Sequence, residues 1–474
     1  MKPIHPASTS RRRAALLGLA CLLAGCAAVG PDYQPPKTDL PPAWSPAAAV
    51  DTPAAPLDAG WWRRFDDPQL TSLVERALAA NPDVRIARAR LRAARAVGAQ
   101  AEAALWPSVG AYGSATRSSS GGNDATSSYG LGFDASWEID LFGGLKRGVE
   151  AADADAQASA ATLASTQVSL AAEVARDYVL LRAYQLRIGI TQANLDNQSQ
   201  TLQIAQWRAQ AGLVGQIDVE QARANREQTR GQLPQLQDAA TQKISALAVL
   251  LNVAPGTLAP ELKDASAIPS AAAQPLAGIP ADLLRRRPDI VAAERSLAAA
   301  TARIGVAEAA RYPSLNLAGT LGLQGAVLSA LTGGGAATQL VAASLAAPIF
   351  DAGRLRQQVE IRSAEQEQAL AAYEGALAGA LRDVEDARAA LANGAVRADA
   401  LAQAVQAARN AALLASFRYR SGLVDFQTVL DTERSVRTLE DSQASTEADN
   451  VMAMIQLYKA LGGGWSADAA DPTP

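Results

Sequence analysis

The sequence predicts a mixed α and β membrane protein, built from one unit used twice. Each copy carries a helix, two strands and a very long helical pair. Three observations lead there. Residues 129–141, YGLGFDASWEIDL, put an apolar or aromatic side chain on every odd position and Gly, Asp, Ser or Glu on every even one. Residues 81–109 align without a gap to 287–315 at an offset of 206, with 13 of 29 pairs identical. The two segments also share Pro-Asp starts and Pro-Ser ends at equal spacing, which argues against a chance match. Finally, Val149 to Gln210 holds no proline, room for roughly 60 residues or about 90 Å of helix.

The elements follow in chain order. Residues 1–25 read as an export signal: Arg11–Arg13 form a basic start, AALLGLACLLAG an apolar stretch, and Leu23-Ala24-Gly25-Cys26 a lipobox. Cleavage there predicts a lipid on Cys26. Ala27, where an aspartate would favour retention in the inner membrane, points to the outer membrane. The mature chain then loses Cys21 and its only histidine, His5. No intrachain disulfide, His/Cys metal site or His-based triad can be built from what is left. Removing Lys2 and Arg11–Arg13 takes the net charge from −4 to about −8, which disfavours nucleic acid as a partner.

Residues 26–59, with Pro31, Pro35, Pro36, Pro41 and Pro42, read as an extended tether without a packed core. The first repeat covers 60–280. Asp67-Pro68 and Asn81-Pro82 each place a capping side chain before a proline at the first helical position. Strands are expected at 106–117 and 127–142, then a long helical hairpin to about 252. The second repeat covers 281–465, with strands at 312–325 and 338–350 and a second hairpin, and a short tail fills 466–474. Val174, Leu181, Ile188, Leu195 and Leu202 recur every seven residues. Val384, Leu391, Ala398, Val405 and Ala412 repeat the pattern at an offset of 210. Such a seam favours packing against neighbouring helices.

Four amphipathic strands cannot close a barrel alone, and an open sheet with a greasy face leaves unpaired edges that neither lipid nor water tolerates. The alternation therefore predicts lipid on one face and water on the other, with closure supplied by further copies. The Gly- and Ser-rich segments 118–128 and 329–339 fit loops between paired strands. Arg85, Arg88, Arg92 and Arg95 share a helical face, read as solvated, and Arg285–Arg287 read as a loop before a helix.

Several stretches then carry a family: CAAVGPDYQPP after the lipobox, WWRRFDDPQL, the paired NPD and RPD, WPS and YPS, WEIDLFGG with PIFDAGRL, FRYRSGLVDFQTVLDTERS, and LYKALGGGW. The chain resembles the outer-membrane efflux lipoproteins of the TolC-like outer-membrane factor family from Cys26 to Trp465. The resemblance implies a homotrimer with a twelve-stranded barrel in outer-membrane lipid, continuous with a periplasmic α-helical barrel. It implies no cofactor, and as partners a periplasmic adaptor and an inner-membrane pump. The function implied is a passive exit duct for small toxic compounds or drugs; the other outlet in this class serves type I polypeptide secretion.

In that family the hairpin tips shut the tube. The resemblance puts a pore-facing carboxylate at Asp431, with Asp425 six residues before it, and Gln427 where some relatives carry a bulky apolar residue. Tyr419 and Arg434 match positions that tether the closed hairpin, with Asp218 as the expected partner. On that reading Arg434→Ala with Tyr419→Phe raises conductance. An enzyme would have to work with Asp and Glu alone, and no pair of carboxylates is marked for it. A periplasm-spanning lipoprotein without a pore would not need the amphipathic strands.

Overall fold

The computed structural model describes residues 28–36, 59–119, 121, 125–270, 286–463 and 465. The signal segment, Cys26, most of the tether and the tail 466–474 lie outside the described residues. The helices are α1 (Pro68–Ala80), α2 (Pro82–Ala103), α3 (Gly144–Gln210), α4 (Gln216–Leu250), α5 (Pro288–Ala309), α6 (Arg354–Arg420) and α7 (Phe426–Ala460). The strands are β1 (Ser108–Ser118), β2 (Thr126–Ile139), β3 (Ser314–Gly325) and β4 (Ala337–Ala346). The duplication is visible in the lengths: α3 and α6 have 67 residues each, α4 and α7 have 35 each. Contacts divide the chain into two units, taken here in turn.

The unit formed by residues up to Thr38, Ala89–Ala160 and Val291–Gly375 holds the sheet. Its order is β1-β2-β3-β4, antiparallel throughout, so β1 and β4 are the edges. Prolines set where the strands begin. Pro107 and Pro313 have no N–H to give a ladder, and pairing starts at Ser108 and Ser314 rather than at 106 and 312. Acidic caps set where strands end. β2 stops at Ile139 rather than 142, because Asp140 accepts the Lys146 N–H (2.9 Å) and turns the chain into α3. β4 stops at Ala346 rather than 350: Pro348 interrupts, and Asp351 accepts the N–H groups of Gly353 (2.9 Å) and Leu355 (2.8 Å).

Part of the tether is packed, contrary to the composition-based reading. Residues 28–36 form a strap. Val29 N–H donates to the Phe142 carbonyl at 3.0 Å. The Arg147 guanidinium donates to Asp32 (2.6 Å), Glu150 (2.7 Å) and the Val29 and Gly30 carbonyls (3.2 and 3.3 Å). A Cβ on Gly30, at φ +89°, would meet Gly305 Cα at 2.4 Å, so only glycine lets the two backbones cross. Tyr33 donates to Glu294 at 3.0 Å.

The other unit holds the main core, where Trp61, Leu70, Leu73, Val174, Tyr178, Leu181 and Leu247 are fully buried. Both expected caps form: Asp67 accepts from the Gln69 and Leu70 N–H groups, each at 2.9 Å, and Asn81 from the Asp83 N–H at 2.8 Å. Arg287 stands just before α5, as expected of a loop ahead of a helix. It is buried and donates to Asp289 (2.7 Å) and the Ala460 carbonyl (2.9 Å), tying the start of α5 to the end of α7.

Candidate pore wall and hairpin gate

Residues directly opposed in an antiparallel ladder share a face, so the register alone sorts the wall. One face carries Ala111, Phe133, Leu321 and Gln339 in one row, and Trp137, Leu317 and Ala343 in another. Ile139, Leu315 and Leu345 make a third. The opposite face carries Gly110, Asp134 and Thr320, then Ser108, Ser136 and Ala318, then Glu138, Asn316 and Ser344. Exceptions sit in both edge strands: Gln339 of β4 and Arg117 of β1 fall on the apolar face, Leu340 of β4 and Tyr112 of β1 on the polar one. The apolar side chains are open: Phe133 is 60 % exposed and Val341 89 %. Such a face suits hydrocarbon and its reverse suits water. Among the described residues no helix is long and apolar enough to cross a membrane.

The hairpin turns are built twice from one recipe. Gly212 (φ +70°) and Gly422 (φ +74°) end α3 and α6 in the left-handed region. Leu213 N–H returns to the Arg208 carbonyl (2.8 Å) and Leu423 N–H to that of Arg418 (2.9 Å), the Schellman arrangement. Beneath the turns Leu202, Ala205, Val219, Ala415, Tyr419, Phe426 and Leu430 form a small apolar cluster.

On this frame Asp218, Tyr419, Asp425 and Gln427 line one hollow at the turns together with Arg208, while Arg434 pairs with Asp431 on α7. Asp425 is the N-cap of α7 and accepts from both the Thr428 hydroxyl (2.5 Å) and N–H (2.9 Å), which hold its carboxyl below the usual range and keep it ionised. Asp431 accepts from Gln427 (3.1 Å) and Arg434 (2.9 Å), all three exposed on one helix. Arg434 thus pairs with Asp431 and not with Asp218, and a pair within a single helix ties no two hairpins together. Asp218 sits in the first turn of α4 and makes no ion pair among the described residues. Tyr419 is buried, its hydroxyl without a hydrogen-bond partner among the described residues, and burial pushes its phenol up, so it stays neutral.

The link between the two turns comes from Arg208, which the residue reading did not single out. Its guanidinium donates to the Tyr419 carbonyl at 2.6 Å and lies 4.4 Å from the Tyr419 ring centroid. The signal was present in the matched pair RAQAGLV and RYRSGLV, whose first member begins at Arg208. Farther along, Thr201 donates to Glu433 (2.6 Å) and Asn194 to Glu440 (3.1 Å), so α3 and α7 also meet through polar side chains. Burial pushes the Glu433 carboxyl up, opposed by that Thr201 bond, and one of its oxygens has no hydrogen-bond partner among the described residues.

Comparison with known proteins agrees with both halves of the chain. The family pattern described as "Outer membrane efflux protein" matches residues 73–253 and 279–463, one stretch in each repeat. The chain is 34 % identical over 463 residues to the probable efflux pump outer membrane protein TtgC of Pseudomonas putida, covering 94 % of each chain. It is 34 % identical over 476 residues to the pyoverdine export outer membrane protein OpmQ of Pseudomonas putida, covering 97 % of this chain and 99 % of that one. The solved outer-membrane channel OprN superposes with a TM-score of 0.87 at 37 % identity, over 92 % of this chain and 99 % of that one. The chain belongs to the outer membrane efflux protein family, a family of TolC-like efflux ducts of the outer membrane rather than of enzymes.

Proposed function

We propose that three copies of the chain close one twelve-stranded barrel and form a passive exit duct for small toxic compounds or drugs. A periplasmic adaptor and an inner-membrane pump load it, and a lipid on Cys26 anchors it in the outer membrane. The observation that carries this reading is the sheet: four strands with one apolar and one polar face, and two edges left to pair. The layout of signal (1–25), tether (26–59), two repeats (60–280 and 281–465) and tail (466–474) belongs to the same proposal. So does the gate, with Asp425, Gln427 and Asp431 lining the closed end and Tyr419, Arg434 and Asp218 near the links that hold it. Carboxylates ringed around a narrow aperture repel one another and attract cations, which makes the closed end cation-selective. Leu213, Ile217 and Leu423, each at least 66 % exposed at the turns, offer an adaptor an apolar landing.

The test is the native mass of the mature lipoprotein taken from outer membranes in mild detergent, followed by conductance in planar bilayers. Three chains and a cation-selective pore are expected. A single chain without conductance refutes the proposal.

A further inference from the structure

We infer that the arginine face of α2 docks against the glutamate face of α6 in a second copy of this chain, as an electrostatic seam below the barrel. The inference rests on the shared-barrel reading above. β1 and β4 are the two edges of the sheet. Residues 104–107 join α2 to β1, and residues 347–353 join β4 to α6. Closing β4 of one copy against β1 of the next therefore brings α6 of the first beside α2 of the second. The two run in opposite directions, because α2 leads into the sheet and α6 leads out of it.

Their free charges match. Arg92, Arg95 and Glu102 are exposed on one side of α2, with Arg85 and Arg88 continuing the stripe. Arg356, Glu360 and Glu367 are exposed along one line of α6, and Glu374 continues it at a seven-residue interval. None of these side chains makes a hydrogen bond or ion pair among the described residues, although the chain forms such pairs freely elsewhere. At 1.5 Å per residue from the helix end nearest the sheet, Glu102 stands at about 2 Å, Arg95 at about 12 Å and Arg92 at about 16 Å. On the same scale Arg356 stands at about 3 Å, Glu360 at about 9 Å and Glu367 at about 20 Å. Signs oppose at every level, including the reversal nearest the sheet, where Glu102 meets Arg356. A face that merely stayed solvated would have no reason to change sign at the matching height. A second copy fits better than an acidic ligand, since an all-acidic partner would be repelled by Glu102.

The test uses the full lipoprotein in outer membranes. Arg95→Cys with Glu360→Cys is expected to give disulfide-linked dimers and trimers on a non-reducing gel, and neither single variant to do so. In parallel, Arg92→Glu with Arg95→Glu lowers the trimer recovered in mild detergent by about tenfold, and adding Glu360→Arg with Glu367→Arg restores it to within about twofold. A native mass of three chains with no cross-link and no restoration overturns the seam while leaving the barrel standing. A native mass of one chain removes the barrel reading, and the seam with it.

Discussion

Removing the Arg208 guanidinium tests how the hairpin turns are held. It contributes a charged hydrogen bond to the Tyr419 carbonyl at 2.6 Å and a cation lying 4.4 Å from the same residue's ring. A hydrogen bond to a charged group contributes about 1.5–3 kcal/mol, and a partly exposed cation–π contact about 0.5–1 kcal/mol. Since both act through one side chain, Arg208→Ala is expected to cost the link about 2–3 kcal/mol per chain, a shift of roughly 30-fold or more in its closed-to-open ratio. The Arg434–Asp431 pair, half-exposed on one helix, contributes about 1 kcal/mol or less and joins nothing across the turns. Tyr419→Phe keeps the ring and the carbonyl and removes only an unpartnered hydroxyl. Single-trimer conductance in planar bilayers should therefore rise for Arg208→Ala and stay near the parent value for Arg434→Ala combined with Tyr419→Phe. The ordering is the reverse of the expectation from the resemblance. An intact Arg208→Ala trimer with parent conductance, or a wide-open Arg434→Ala/Tyr419→Phe trimer, refutes the assignment.

Three further outcomes follow from the same geometry. Phe133→Arg on the apolar face should cost about 2–4 kcal/mol of barrel stability if that face meets lipid, whereas Ser136→Arg on the polar face should leave the heat resistance of the trimer on gels nearly unchanged. Burial raises the Glu433 carboxyl, so its contribution to stability is fully present below the unfolded value, about 4.3, and is lost as pH rises through the higher folded one. The hairpin region should accordingly melt higher at pH 5 than at pH 8, with Glu433→Gln flattening the difference; Asp425, whose carboxyl is lowered, contributes stability that is present above about 3.9 and is lost only as pH falls below it. Gly30→Ala should unseat the strap, seen as faster hydrogen exchange at the Val29 amide, with unchanged exchange speaking against the backbone crossing.

Much of the architecture was legible because it rests on period and punctuation. Alternation over Tyr129–Ile139 gave the strand and its faces, and the gap-free repeat placed a second strand pair before any contact was known. Pro68 and Pro82 marked helix starts through their fixed dihedral. The strand ends were misplaced because apolar character continues past the ladder: Leu141 still fits the alternation and Ile349 and Phe350 are both apolar, but Asp140 and Asp351 spend their oxygens on helix N–H groups. The gate was less legible. A carboxylate near a turn reads alike whether or not it also caps a helix, as Asp425 does. The repeat match that begins at Arg208 does not say what its guanidinium touches, because the partner is a residue 211 positions away. Arg147, in an otherwise ordinary helical stretch, was hidden in the same way.

The strap at residues 28–36 also imposes an order in time. The strap precedes its partners in the chain: Arg147 lies 115 residues beyond Asp32, and Glu294 lies 261 beyond Tyr33. Contacts of such separation close only after much of the intervening chain has condensed. A seated strap therefore reports that the chain has been made and folded at least as far as Glu294.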